Sequence, residues 1–180
     1  MPAWLKNGPY TVFDLETTGL SAVRDRIVEI GAVRIELDGT LSRYETLVNP
    51  GVPIPWRVSR IHGITDEMVA DAPKFKDAAY PFLDFIKGSS LVAHNAQFDL
   101  AFLQESLART GLPIWKYGAY DSVRVIRAAY PGLPSYSLQA LRQSLALGMD
   151  LDEARPHRAA YDAEITMEAF SMAMRRLAAR

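Results

Sequence analysis

The chain has 180 residues, enough for one domain with a sizeable core and too few for two of ordinary size. With 49% hydrophobic and 23% charged residues it is not a disordered chain, and the absence of cysteine excludes disulfides, thiolate zinc sites and cysteine nucleophiles. A net charge of −1 excludes the dense basic surface that grips long duplex, so any contact with nucleic acid is expected to be short, such as a strand end.

The N-terminal stretch Met-Pro-Ala-Trp-Leu-Lys has no apolar run of signal-peptide length. Nor does any segment approach the roughly twenty apolar residues that cross a bilayer. A soluble cytoplasmic protein of one domain, residues 1–180, is the expectation. Tyr10 to Phe13 is β-branched and aromatic and runs into Asp14-Leu15-Glu16 and Thr17-Thr18-Gly19, which predicts a buried strand ending in a polar turn. Val33, Ile35 and Leu37 alternate with Arg34, Glu36 and Asp38, the pattern of a strand with one wet face. Asp38-Gly39 predicts a type I′ hairpin turn, with Leu41 to Val48 as the returning strand.

Prolines at 50, 53 and 55 predict a loop over residues 49–57. Thr65-Asp66-Glu67 reads as a helix start. A further helix is expected to turn Tyr80, Leu83 and Phe85-Ile86 inward, although Pro81 fits it badly outside a first turn or a kink. Leu91 to Ala93 is a short apolar strand, and residues 97–110 have helical periodicity closed by Gly111. Residues 120–125 read as a last strand entering a helix, with Asp121 as a cap. Ser137 is a natural N-cap for residues 138–147, and a long helix follows the loop that ends at Pro156-His157. Strands first, then alternating helices and strands, predict an α/β sheet packed between helices.

Asp14 and Glu16 are two apart in a strand, so their carboxylates share a face. Charges that close raise each other's pKa unless a cation compensates. Asp99 and Asp162 each fall in the first turn of a helix, where the helix dipole alone accounts for an acid. His157 precedes Asp162 in a loop. Each has an ordinary structural explanation when taken singly. Together they place acid at three strand-to-helix junctions. Four hard oxygen donors suit Mg²⁺ or Mn²⁺, a pair of such ions can clamp a phosphodiester, and a neutral histidine can take a proton from the attacking water.

These residues resemble the motifs of the DnaQ-like exonucleases with four acids and a histidine, called DEDDh. The first motif is Phe13-Asp14-Leu15-Glu16-Thr17-Thr18-Gly19, the second His94-Asn95-Ala96-Gln97-Phe98-Asp99, and the third His157-Arg158-Ala159-Ala160-Tyr161-Asp162. Within that family the chain is most similar to the proofreading exonucleases of bacterial DNA polymerase III. The resemblance implies a ribonuclease-H-like α/β fold, a mixed five-stranded sheet flanked by helices with the first strand in the middle. It also implies removal of nucleotides from a 3′ end as 5′-monophosphates, with two Mg²⁺ or Mn²⁺ ions.

In that scheme Asp14 bridges both ions, Glu16 and Asp162 complete the tighter site, Asp99 serves the second ion or its waters, and His157 is the general base. Leu15, Thr17, Thr18, Gly19, Ile61, His62, Asn95 and Phe98 are expected to meet the nucleotide, with Ile61 and Phe98 flanking the last base. His62 has an alternative reading as a solvated loop residue. Arg57, Arg60, Arg124, Arg127 and Arg158 can border the site. The partner implied is a single-stranded DNA 3′ end, and a polymerase or other replication or repair protein as tether. An exoribonuclease of the same superfamily stays open, as does a non-catalytic nucleic-acid-binding module. A dehydrogenase or NTPase is disfavoured, since neither a Gly-rich dinucleotide fingerprint nor a phosphate-loop lysine is present.

Overall fold

Tyr10, Val12, Phe13 and Leu15 are buried, and the strand they form, β1 (Tyr10–Thr17), is the middle of the sheet. The computed structural model describes residues 3–148 and 157–180. β2 (Ile27–Ile35) and β3 (Leu41–Leu47) follow as an antiparallel meander, while β4 (Ser90–Ala93) and β5 (Ala119–Asp121) run parallel to β1, giving the order β3-β2-β1-β4-β5. This is the expected mixed five-stranded ribonuclease-H-like sheet. Helices α1 (Trp56–His62), α2 (Asp66–Val69), α3 (Phe75–Ile86), α4 (Gln97–Arg109), α5 (Ser122–Ala129), α6 (Leu138–Leu145) and α7 (Ala159–Ala178) flank it.

Alternation along β1 divides the core in two. Phe13 and Leu15 face α3 and α4, packing with Phe82, Ile86, Phe102, Leu103 and Leu107. Tyr10 and Val12 face α7, packing with Ala163, Met167 and Phe170. On that second face the next two side chains are Asp14 and Glu16. The face therefore changes from apolar to acidic at the strand's C-terminal end, beside the N-terminus of α7.

β2 does not have the expected wet face. It begins at Ile27, stops at Ile35, and is buried on both sides because helices cover both faces of the sheet. Gly31, opposite Asp14 in the β1–β2 register, is where α7 comes closest. A Cβ at Gly31 would lie 2.1 Å from Ala160 N and 2.2 Å from the Ala159 carbonyl carbon. Gly31→Ala is expected to push the start of α7 off the sheet and cost about 1–3 kcal/mol, read as a fall in thermal midpoint. An unchanged midpoint would show that α7 can yield there.

Several local expectations change. The hairpin after β2 is not type I′: Gly39 has φ 93, but Asp38 is not left-handed, and its carboxylate accepts from Thr40 N at 2.8 Å. The prolines at 53 and 55 lead into α1 rather than a continuous loop, with Pro55 as its N-cap. In α3, Tyr80 is exposed and Phe82 is the buried aromatic, with Pro81 in the helix interior on the solvent side. Asp121 and Ser137 cap α5 and α6 through Val123 N and Ala140 N, as expected. The stretch before His157, including Pro156, lies outside the described residues.

Candidate active site

Three elements converge beside the end of β1. Asp14 and Glu16 come from the strand itself. Asp99 is in the first turn of α4, reached immediately after β4, and its Oδ1 accepts from Leu15 N at 3.1 Å. This bond ties the second motif to the first through buried atoms. Asp162 sits in the first turn of α7. Oxygen atoms of Asp14, Glu16 and Asp162 can all lie within 4.8 Å of one another. Asp99 is outside that trio, yet it is 3% exposed and near enough to raise the pKa of both Asp14 and Glu16.

Burial is the largest cause of every shift in this cluster, and mutual repulsion adds to most of them. The Asp14 carboxyl is raised well above its usual range by burial, then by Asp99, Asp162, Glu16 and Glu29. Burial, Asp162, Glu29 and Asp99 push Glu16 up to about 9 against the opposing charge of Arg158. Asp99 rises to about 8 by burial, moderated by the amides of Asp99 and Leu15. Asp162 rises to about 6, because burial outweighs the favourable charge and amide of His157. Such a cluster resists full ionisation at neutral pH without a cation. Hard carboxylate oxygens at this spacing fit a small divalent ion.

Glu29 was not among the expected site residues. It pairs with Glu16 across the β1–β2 ladder and is 0% exposed. Arg158, the N-cap of α7, donates to it from Nε at 2.9 and 3.0 Å and also from its terminal NH2 group, while Ala159 N donates at 2.8 Å. The carboxylate thus holds the first turn of α7, with Asp162 four residues beyond Arg158 and His157 one residue before it. The signal for Glu29 in the sequence is an acid within the apolar run Ile27 to Val33.

The histidine expected as base is exposed, at φ 59, and lines a recess of about 380 Å³ with Asp162, Tyr161, Gln139 and Arg142 among its walls. His62, in contrast, is 2% exposed, with Nδ1 accepting from Ile64 N at 3.0 Å. Burial lowers its pKa, opposed by the Thr17 backbone and Glu29. It is therefore not a solvated loop residue. It closes α1 against the end of β1.

Thr17 Oγ1 donates to the Gly19 carbonyl at 2.6 Å, and Thr18 Oγ1 accepts from Arg26 N at 3.0 Å, so both hydroxyls hold the turn after β1. Leu15 offers only backbone to the site, its side chain being in the opposite core. Asn95, at φ 61, donates its amide to Asp121 Oδ1 at 3.3 Å. Phe98 lines a shallow pocket of about 300 Å³ together with Leu20, Ala22 and Asn95. Leu20 is 88% exposed and was also unforeseen; its signal is an apolar residue directly after a Thr-Thr-Gly turn. Ile61 is 60% exposed at the end of α1.

With this arrangement of acids in view, the comparisons decide the family. A family model described as Exonuclease matches residues 11–170. The chain belongs to the DnaQ-like exonucleases of the DEDDh type. It is 41% identical over 162 residues to the DNA polymerase III subunit epsilon of Treponema pallidum, covering 90% of this chain and 74% of that one. It is 38% identical over 170 residues to a DNA polymerase III PolC-type protein of Caldanaerobacter subterraneus subsp. tengcongensis, covering 94% of this chain but only 12% of that much longer protein.

Among solved structures, Exonuclease X in complex with 5′ overhanging duplex DNA superposes with a TM-score of 0.71 at 32% identity, over 92% of this chain and 90% of that one. Exonuclease I superposes with a TM-score of 0.74 at 19% identity, over 89% of this chain and 40% of that one, a likeness of fold. The chain is thus a DEDDh exonuclease whose clustered acids fit the hydrolysis of phosphodiesters.

Proposed function

We propose that this chain is a metal-dependent 3′–5′ exonuclease acting on single-stranded DNA ends, in the manner of a proofreading exonuclease, and releasing nucleoside 5′-monophosphates. The observation that carries this is the convergence of Asp14, Glu16 and Asp162 within 4.8 Å, with buried Asp99 behind them and exposed His157 beside them. DNA is favoured over RNA by the likeness to polymerase III exonucleases and to Exonuclease X in complex with DNA. A polymerase or other replication protein is the partner that likeness supports.

Two Mg²⁺ or Mn²⁺ ions held by Asp14, Glu16, Asp99 and Asp162 would supply Lewis-acid stabilisation of the charge developing on the phosphodiester. Asp14, on which Asp99, Asp162 and Glu16 all act, would contribute to holding both ions. Asp99 is fixed by Leu15 N and serves the site from the α4 side. His157 takes the proton of the attacking water at a ring nitrogen. Leu20 and Phe98, which line one pocket, and exposed Ile61 offer apolar surface to the terminal base without reading its identity. Among the described residues, no helix is long and apolar enough to cross a membrane. A cytoplasmic location remains part of the proposal.

The test follows a 5′-labelled single strand in Mg²⁺ beside mismatched duplex, matched duplex and RNA. Stepwise shortening from the 3′ end of DNA is expected, with chelation abolishing it. Faster shortening of RNA than of DNA would move the chain to the exoribonuclease reading. His157→Ala is expected to lower kcat by about 10²–10⁴-fold while the Mg²⁺-induced rise in thermal midpoint persists. A loss of that rise would make His157 a ligand instead of the base.

A further inference from the structure

α1 has the sequence Trp56-Arg57-Val58-Ser59-Arg60-Ile61-His62 and carries no acid. Its inner end is fixed by buried His62, then by the left-handed Gly63 cap and by Ile64 in a cluster with Val28, Ile54 and Val69. Its outer face is open. Trp56 is 63% exposed, with the guanidinium carbons of Arg57 and Arg60 lying 5.6 and 5.7 Å from its ring centre. Ile61 continues that exposed surface at the end nearest β1.

Arg127, Arg142, Arg175 and Arg176 lie over rings that are buried or half-buried, whereas Arg57 and Arg60 flank one that is exposed, and among the described residues neither Arg57 nor Arg60 is in an ion pair. In a chain of net charge −1, two cations flanking an exposed indole form a local site for a polyanion with flat bases. Stacking on the indole also limits the freedom of both guanidiniums, so less is lost when they bind.

We propose that the outer face of α1 is a second contact for the DNA strand, upstream of the 3′ nucleotide held at the acids. Arg57 and Arg60 take backbone phosphates, and Trp56 takes the face of a base or sugar. The helix is about 10 Å long, a reach of about two or three phosphates along a stacked strand. This inference rests on the exonuclease reading and adds to it a preference for strands several nucleotides long.

The experiment compares Trp56→Ala, Trp56→Phe and Arg57→Ala/Arg60→Ala with the wild type, on a dinucleotide and on a long single strand. Anisotropy of a labelled strand in Ca²⁺ gives affinity independently of turnover. For the long strand, Trp56→Ala is expected to raise KM and Kd about tenfold and Trp56→Phe to restore most of the loss. The double arginine variant is expected to flatten the salt dependence of log Kd by about 0.7 for each arginine. Dinucleotide kcat/KM should be unchanged in all three. Unchanged long-strand Kd and salt slope in these variants would overturn the α1 contact even if the enzyme is fully active. A wild type that binds strands through α1 but hydrolyses nothing would overturn the proposed activity and leave the contact standing.

Discussion

Asp14→Asn is expected to abolish hydrolysis while making the metal-free protein more stable. The position is central: the oxygens of Glu16 and Asp162 lie within 4.8 Å of its own, and Asp99 acts on it from α4. An amide there keeps the shape and loses the charge that a divalent ion needs. Forfeiting several kcal/mol of charge stabilisation lowers kcat by at least about 10³-fold. Stability moves the other way, because the substitution removes one of several buried carboxylates that repel one another.

The pH dependence fixes the sign. Glu16, Asp99 and Asp162 have folded-state pKa values of about 9, 8 and 6, all above their ordinary values near 4, and Asp14 is raised as well. The folded protein therefore binds these protons more tightly than the unfolded chain does. Their contribution is fully present below about pH 4 and is lost as pH rises through the folded values towards 9. The chelated wild type should lose thermal stability across that window, and excess Mg²⁺ should restore it increasingly as protons leave the site. In Asp14→Asn the decline should be shallower and the response to Mg²⁺ nearly absent. A chelated variant no more stable than the wild type at pH 8, with the wild-type Mg²⁺ response intact, would refute the repulsive cluster.

The parts legible in the sequence were those whose local chemistry and position agree. Asp14 and Glu16 close an apolar strand, and Asp99 and Asp162 open helices, so each could be placed without knowing its neighbours. What was hidden depends on contacts between distant segments. Glu29 draws no attention in the sequence, because its partners Arg158 and Ala159 lie about 130 residues later. Gly31 reads as a weak strand residue until the backbone of Ala159 and Ala160 comes down on it. His62 was expected at the nucleotide, with a solvated loop as the alternative, because three prolines disguised the approach to α1; its ring is 2% exposed. Tyr80 was expected inward and Phe82 was passed over, because the periodicity around Pro81 does not by itself say which aromatic points inward.

Glu29→Ala is expected to destabilise the fold by about 3 kcal/mol and to cost more in catalysis than stability alone explains. Removing one member of a buried ion pair leaves its partner without compensation, typically worth 3–5 kcal/mol, and partial exposure of Arg158 puts this case at the lower end. The catalytic loss arises because Arg158 and Ala159 N locate the first turn of α7. His157 directly precedes that turn and Asp162 sits in it, so both take their position from the contact with Glu29. A displacement of about 1 Å costs about 10²-fold in rate. Glu29→Gln separates the two effects: it keeps the shape and an acceptor for Ala159 N but removes the charge facing Arg158. We expect it to fold, to bind strands with an unchanged KM, and to lose about 10²-fold in kcat. If Glu29→Gln keeps wild-type kcat while Glu29→Ala is merely less stable, the carboxylate supports the fold alone and does not set the position of the catalytic turn.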